Sequence, residues 1–237
     1  MIKKLLALIP ARIGSKRLKK KNLKILGNKE LVSWSIDFAK SSNLFEKIFV
    51  STDSKKIRKI AIKENCLCPY LRPKRLSSSK ANLVDVALHT LKYLKSNGFE
   101  FDGIVLLQPT SPFRSIKTLK NILKKFNKNK KLNSVISITE LKKNPYGSVI
   151  TKNNYLKPLM KNHGLNKQSQ SLTKVYAPNG SIYVNSPNNL KKYKSWFSKK
   201  TEYVQSLNEY ENLDIDFISD FKFAQYIVRN EKIFKNK

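Results

Sequence analysis

The chain opens on an unbroken apolar run, Leu5-Leu6-Ala7-Leu8-Ile9, closed by Pro10. A run this short with no polar face predicts a strand covered on both sides, as in a parallel sheet with helices above and below. Residues 31–40 then set Leu31, Trp34, Ser35 and Phe38 on one side at helical spacing. The alternation continues. Strands are predicted at 47–50, 66–71, 103–107 and 134–138, and helices at 55–64, 82–96 and 115–126, with Ser51-Thr52-Asp53-Ser54 as the turn and N-cap of the first of these. Strand and helix in this order are the signature of an open α/β sheet.

Past Glu140 the pattern changes to short extended pieces at 146–150, 155–159, 175–176 and 181–184, separated by Asn, Pro and Gly. These read as an excursion from the sheet over about 140–185, with Asn179-Gly180 a turn signal of its own. A helix at 217–228 follows, and 237 residues suit a single domain.

Composition changes the picture less than it first promises. Lys and Arg total 48 against 16 acids, a formal charge of +32 that suggests a nucleic-acid partner. The excess is mostly Lys spread evenly along the chain, which points to compositional bias instead. Five of the seven Arg (Arg12, Arg17, Arg72, Arg75, Arg114) fall in predicted loops, where a guanidinium fork suits phosphate or carboxylate. Cys66 and Cys68 are too few for a disulfide framework or a four-Cys metal site. The first apolar run is shorter than a signal peptide requires, and no run reaches the roughly 20 residues of a membrane span. The expectation is a soluble cytoplasmic protein without a membrane partner.

Three places carry candidate chemistry. The loop after the first strand, Arg12-Ile13-Gly14-Ser15-Lys16-Arg17 through Lys21-Asn22, has a backbone free to turn its amides to an anion. Arg12, Lys16, Arg17 and Lys21 can grip a polyphosphate there. Gln108-Pro109-Thr110-Ser111-Pro112-Phe113-Arg114, after the strand at 103–107, fixes an amide, two hydroxyls and a cation between prolines, an arrangement for a hydroxylated ligand. Asp214-Ile215-Asp216 places two carboxylates at i and i+2, which suit Mg²⁺ or, alternatively, cap the helix that follows. Asp53 sits at the end of a predicted strand, where open sheets bind ligands. His89 and His163 lack any partner at triad or metal spacing.

In order along the chain, Ile9-Pro10-Ala11-Arg12, Gly14-Ser15-Lys16-Arg17, Lys21-Asn22, Ser51-Thr52-Asp53, Leu71-Arg72-Pro73, Leu106 through Arg114, Asn179-Gly180-Ser181-Ile182-Tyr183 and Asp214-Ile215-Asp216 resemble the acylneuraminate cytidylyltransferases, the CMP-sialic acid synthetases. The resemblance implies a Rossmann-like α/β nucleotidyltransferase joining CTP to a nine-carbon 2-keto sugar acid, and a homodimer whose excursion reaches its partner. It assigns Ala11, Arg12, Gly14, Ser15, Lys16, Arg17, Lys21, Asn22 and Arg72 to the nucleotide. Gln108, Thr110, Ser111 and Tyr183 fall to the sugar, Asp214 and Asp216 to Mg²⁺, and Arg12, Lys21, Asp214 and Asp216 to catalysis. The chain departs from the family pattern at Ile13, over Ser79 to Leu83, and at Ser169, where a family cation is replaced and Lys167 or Lys174 is the substitute. Pseudaminic or legionaminic acid, KDO, and GTP remain alternative substrates, and a basic RNA-binding protein remains the rival of another class.

Overall fold

The structure, a computed structural model, describes residues 4–128, 134–161 and 164–231. Its elements run β1 (Leu5–Pro10), β2 (Ile25–Leu26), β3 (Lys29–Glu30), α1 (Leu31–Ser42), β4 (Lys47–Ser51), α2 (Lys55–Lys63), α3 (Leu83–Ser96), β5 (Gly103–Leu106), α4 (Ile116–Lys128), β6 (Ser134–Glu140), β7 (Val149–Lys152), β8 (Tyr155–Pro158), β9 (Tyr176–Asn185), α5 (Pro187–Tyr193), β10 (Glu202–Gln205) and α6 (Ile218–Asn230). Six strands form one sheet in the order β10-β6-β9-β5-β1-β4, parallel except for β9. The expected α/β architecture is therefore present.

The opening run shows why. Leu5, Ala7 and Ile9 enter one core with residues of α1, α2 and α4, while Leu6 and Leu8 enter a second with residues of α3 and α5. Each fully buried Leu or Ile contributes about 1.5–3 kcal/mol, so a polar residue anywhere in this strand is costly. The helices start where side chains can cap them: Ser54 Oγ accepts from Ile57 N, and Asn82 Oδ1 from Val84 N. Because β1 lies between β4 and β5, with α1 and α3 on opposite faces, its carboxyl end is a topological switch point.

Two sequence expectations fail. The strand at 66–71 reduces to one bridge, Phe49 to Leu67, with Cys66 and Cys68 buried and their thiols pushed up to about 11 by burial. Residues 176–185 do not belong to the excursion: they form β9 in the middle of the sheet, which leaves the excursion at about 141–175. The Asn179-Gly180 signal is a bulge within that strand. Ile136 and Ile138, two apart on β6, face Tyr183 and Pro178, five apart on β9, so the backbone loops out at Gly180 with φ +74. Ser137 Oγ accepts from Ile182 N at 2.9 Å and donates to Asn179 Oδ1, filling the gap. Sequence periodicity also missed α5 and β10. Among the described residues no helix is long and apolar enough to cross a membrane.

Candidate active site

A cleft of about 600 Å³ opens at the carboxyl ends of β1 and β5. Arg12, Ser15, Lys16, Arg17, Lys21 and Asn22 form one side of it, and Gln108, Pro109 and Thr110 another. Arg72 joins from a third loop, and Asp216 from the segment before α6. Residues more than 200 positions apart thus meet where the phosphate loop was expected.

The cations are held by specific partners. Lys21 is buried, and its Nζ reaches Ile215 O at 2.5 Å and Asp216 Oδ1 at 2.8 Å. Arg17 reaches the other oxygen of Asp216 at 2.8 Å and stacks over the Phe217 ring. Burial alone raises the Asp216 carboxyl, but the hydrogen bonds and charges of Lys21 and Arg17 outweigh it and hold it below its ordinary value. Arg12 donates to Ser78 O at 2.6 Å, drawing the phosphate loop to the segment before α3. Buried Arg72 donates to Ser77 Oγ, and burial lowers its pKa. Asn22 Nδ2 donates to Arg12 O, while its Oδ1 is buried without a partner at the cleft wall, an acceptor available to a ligand's hydroxyl or amine.

Other expected residues lie elsewhere. Ala11 is buried in the core and contributes its amide, bonded to Ser51 O; Gly14 is exposed beside the cleft. Ser111 is buried off the cleft wall, its Oγ without a partner beneath Gly180. Tyr183 is half-buried against Trp196 and Phe197, also off the wall. Asp214 is exposed and does not line the cleft as Asp216 does. Neither carboxylate caps α6; Asp220 Oδ2 accepts from the Asp216 and Phe217 amides instead.

Arg114, placed near the ligand by the sequence, is a buried strut. It donates to Ser181 O, Ser35 Oγ and Gln108 O and lies over the Phe38 ring. Arg75 is exposed outside the cleft. His89 receives or gives a hydrogen bond with Tyr70 at 3.0 Å, and His163 lies outside the described residues. Lys174 is paired with Glu140 at 3.1 Å.

Leu83, within the span where the sequence departs from the family pattern, lines a further wall with Leu76, Ser78, Ala81 and Val86, which the sequence did not single out. It offers a planar ring an apolar bed edged by backbone. Arg72 and Arg75 precede it in sequence, but its apolar residues have the same spacing as helix-core residues. Among the described residues no three His, Cys, Asp or Glu gather as a metal cage. A pair of carboxylates is nonetheless what Mg²⁺ takes from a protein when substrate phosphates and water complete its shell.

The chain as a whole is similar to known proteins. A family model described as cytidylyltransferase matches residues 6–236. The chain is 31% identical to a CMP-N,N'-diacetyllegionaminic acid synthase of Legionella pneumophila, over 95% of this chain and 96% of that one. It is 30% identical to a pseudaminic acid cytidylyltransferase of Campylobacter jejuni over 97% and 99%. It is also 31% identical to an N-acylneuraminate cytidylyltransferase of Streptococcus agalactiae, of which it spans 55%. In fold it resembles a CMP:2-keto-3-deoxy-manno-octonic acid synthetase complexed with CTP, with TM-score 0.71 and 14% identity, covering 96% of this chain and 99% of that one. The match over nearly the whole chain places the protein in the cytidylyltransferase family, as a nucleotidyltransferase enzyme.

Proposed function

We propose that the protein joins CTP to a nine-carbon 2-keto sugar acid, sialic acid or a relative such as legionaminic or pseudaminic acid, releasing pyrophosphate. The observation that carries this reading is the convergence of Arg12, Lys16, Arg17, Lys21, Gln108, Thr110 and Asp216 on one cleft. The relatives are named for sialic, legionaminic and pseudaminic acids.

Arg12, Lys16, Arg17 and Lys21 neutralise the triphosphate, and Asn22 and Arg72 fix the nucleoside. The sugar's anomeric oxygen bonds to the α-phosphorus as the α–β bridging P–O bond breaks. Pyrophosphate leaves with the electron pair, and the hydroxyl proton passes to solvent. The work is positioning and charge neutralisation, so no covalent nucleophile is needed. Asp216 at the cleft, with Asp214 exposed two residues before it, would hold Mg²⁺, which would supply Lewis-acid charge to the phosphate oxygens and acidify the attacking hydroxyl. Gln108 and Thr110 face the sugar from the adjoining wall. Asp216 answers to Lys21 and Arg17, so these three side chains rearrange together as the phosphates arrive.

We further propose a homodimer built through the excursion, as the sequence resemblance implies. Tyr155 and Leu156 on the β7–β8 hairpin are 73% and 69% exposed, apolar surface that a second copy would cover.

The deciding experiment is pyrophosphate release with Mg²⁺, crossing CTP and GTP with eight- and nine-carbon keto-sugar acids. Release with CTP and one nine-carbon acid is expected. Release with GTP alone, or silence from folded protein across the panel, overturns the assignment.

A further inference from the structure

Asp53 is half-buried behind the cleft, just past the end of β4, and has no part in the reaction described above. Capping α2, its obvious occupation, belongs to Ser54. Its carboxylate turns the other way: Oδ1 accepts from the Ile13 amide at 2.8 Å, across 40 residues of sequence.

That bond is one of three from the same short segment. Ser51 O accepts from Ala11 N at 2.9 Å, and Thr52 O accepts from Arg72 N at 2.6 Å. Arg12 therefore stands between two residues anchored to the end of β4, and Arg72 is anchored between the same two anchor points. The distance between the two guanidinium-bearing loops is set here, by a segment that does not line the cleft. The two cations repel: Arg12 lowers the pKa of Arg72, while Asp53 raises it. One carboxylate thus fixes the loop and offsets the charge that would push it away.

We propose that Asp53 is a positioning residue for the nucleotide, holding the Ile13 amide so that Arg12 is presented opposite Arg72. This rests on the reading of the cleft as a nucleotide site.

The test compares Asp53→Ala, which removes both bond and charge, with Asp53→Asn, which keeps an oxygen able to accept from Ile13. Exchange of the Ile13 amide is followed by NMR, CTP binding with Mg²⁺ by calorimetry, and KM for each substrate by pyrophosphate release. In Asp53→Ala the amide should exchange at least about tenfold faster and CTP should bind about tenfold more weakly, the loss of one positioned hydrogen bond. The sugar-acid KM should stay within about twofold, and Asp53→Asn should recover most of the CTP affinity. The inference is overturned if Asp53→Ala leaves Ile13 exchange and CTP affinity unchanged. It is equally overturned if both KM values rise together with a fall in melting temperature, or if Asp53→Asn is as impaired as Asp53→Ala. Wild-type protein that binds CTP yet releases no pyrophosphate overturns the proposed reaction and leaves the Asp53 comparison standing. Failure to bind CTP at all overturns both.

Discussion

Lys21 and Asp216 are 195 residues apart in sequence and 2.8 Å apart in the fold, Nζ to Oδ1. Because the same ammonium also reaches Ile215 O, it ties the loop after β1 to the segment that opens α6. Replacing it exposes the cost of both ends. Lys21→Met should lower turnover by at least about 100-fold, as loss of a positioned cation at a phosphate site does. It should also cost about 1–3 kcal/mol of stability by leaving buried acceptors unmade. Pyrophosphate release and urea unfolding measure the two effects separately.

The same pair fixes a pH dependence. Lys21 and Arg17, outweighing burial, hold the Asp216 carboxyl below its ordinary value, so the folded chain gives up this proton more readily than the unfolded chain does. Its contribution to stability is complete above the unfolded value and is lost as pH falls through the lowered one. Asp216→Asn should therefore flatten the acid limb of a stability curve below about pH 4 and leave the difference between variants constant near neutrality. A variant whose acid limb matches wild type would remove Asp216 from that role.

Arg114 should behave as a strut. Arg114→Met leaves Ser181 O, Gln108 O and Ser35 Oγ without their donor and should cost about 3 kcal/mol. Arg114→Lys keeps the charge but not the fork, and should recover only part of that loss. Chemical unfolding of the three proteins gives the order.

Gly180 is required by its backbone and not by crowding. With φ at +74 and the nearest atom to an added Cβ 3.5 Å away, Gly180→Ala should cost about 1–2 kcal/mol through strain alone. Gly180→Asn should cost less, because Asn tolerates the left-handed region. Melting temperatures for the pair decide whether strain or space is at issue.

The hairpin carries the last expectation. Leu156→Asp, on the exposed face of β8, should convert a dimer to a monomer by light scattering while leaving the far-ultraviolet circular dichroism unchanged. A wild-type monomer would remove the dimer proposal.

Where sequence was readable, burial made it so. β1 and β5 are apolar on both faces because helices cover both, and a continuous run is the only pattern that satisfies that. The cation loop was readable because anion chemistry needs particular side chains. β9 was not readable, since Pro178, Asn179 and Gly180 interrupt it where it bulges, and turn residues there carry the same local signal as a hairpin end. β10 shows only Val204 buried, too little for a pattern. Arg114 misled for a physical reason: a guanidinium suits a carbonyl cluster as well as a phosphate, and sequence does not say which acceptors it will meet.

The place of β9 also bears on how the chain reaches this fold. Its partners β5 and β6 are made earlier, yet they touch each other only through it. Until residue 176 has emerged from the ribosome, β5 ends the nascent sheet with an open edge, its backbone groups unpaired and its Ile104 and Leu106 without their eventual neighbours. The sheet is therefore completed by its middle, late in synthesis and over a long loop closure, and the interval before that insertion is when the chain is most exposed to pairing with another copy.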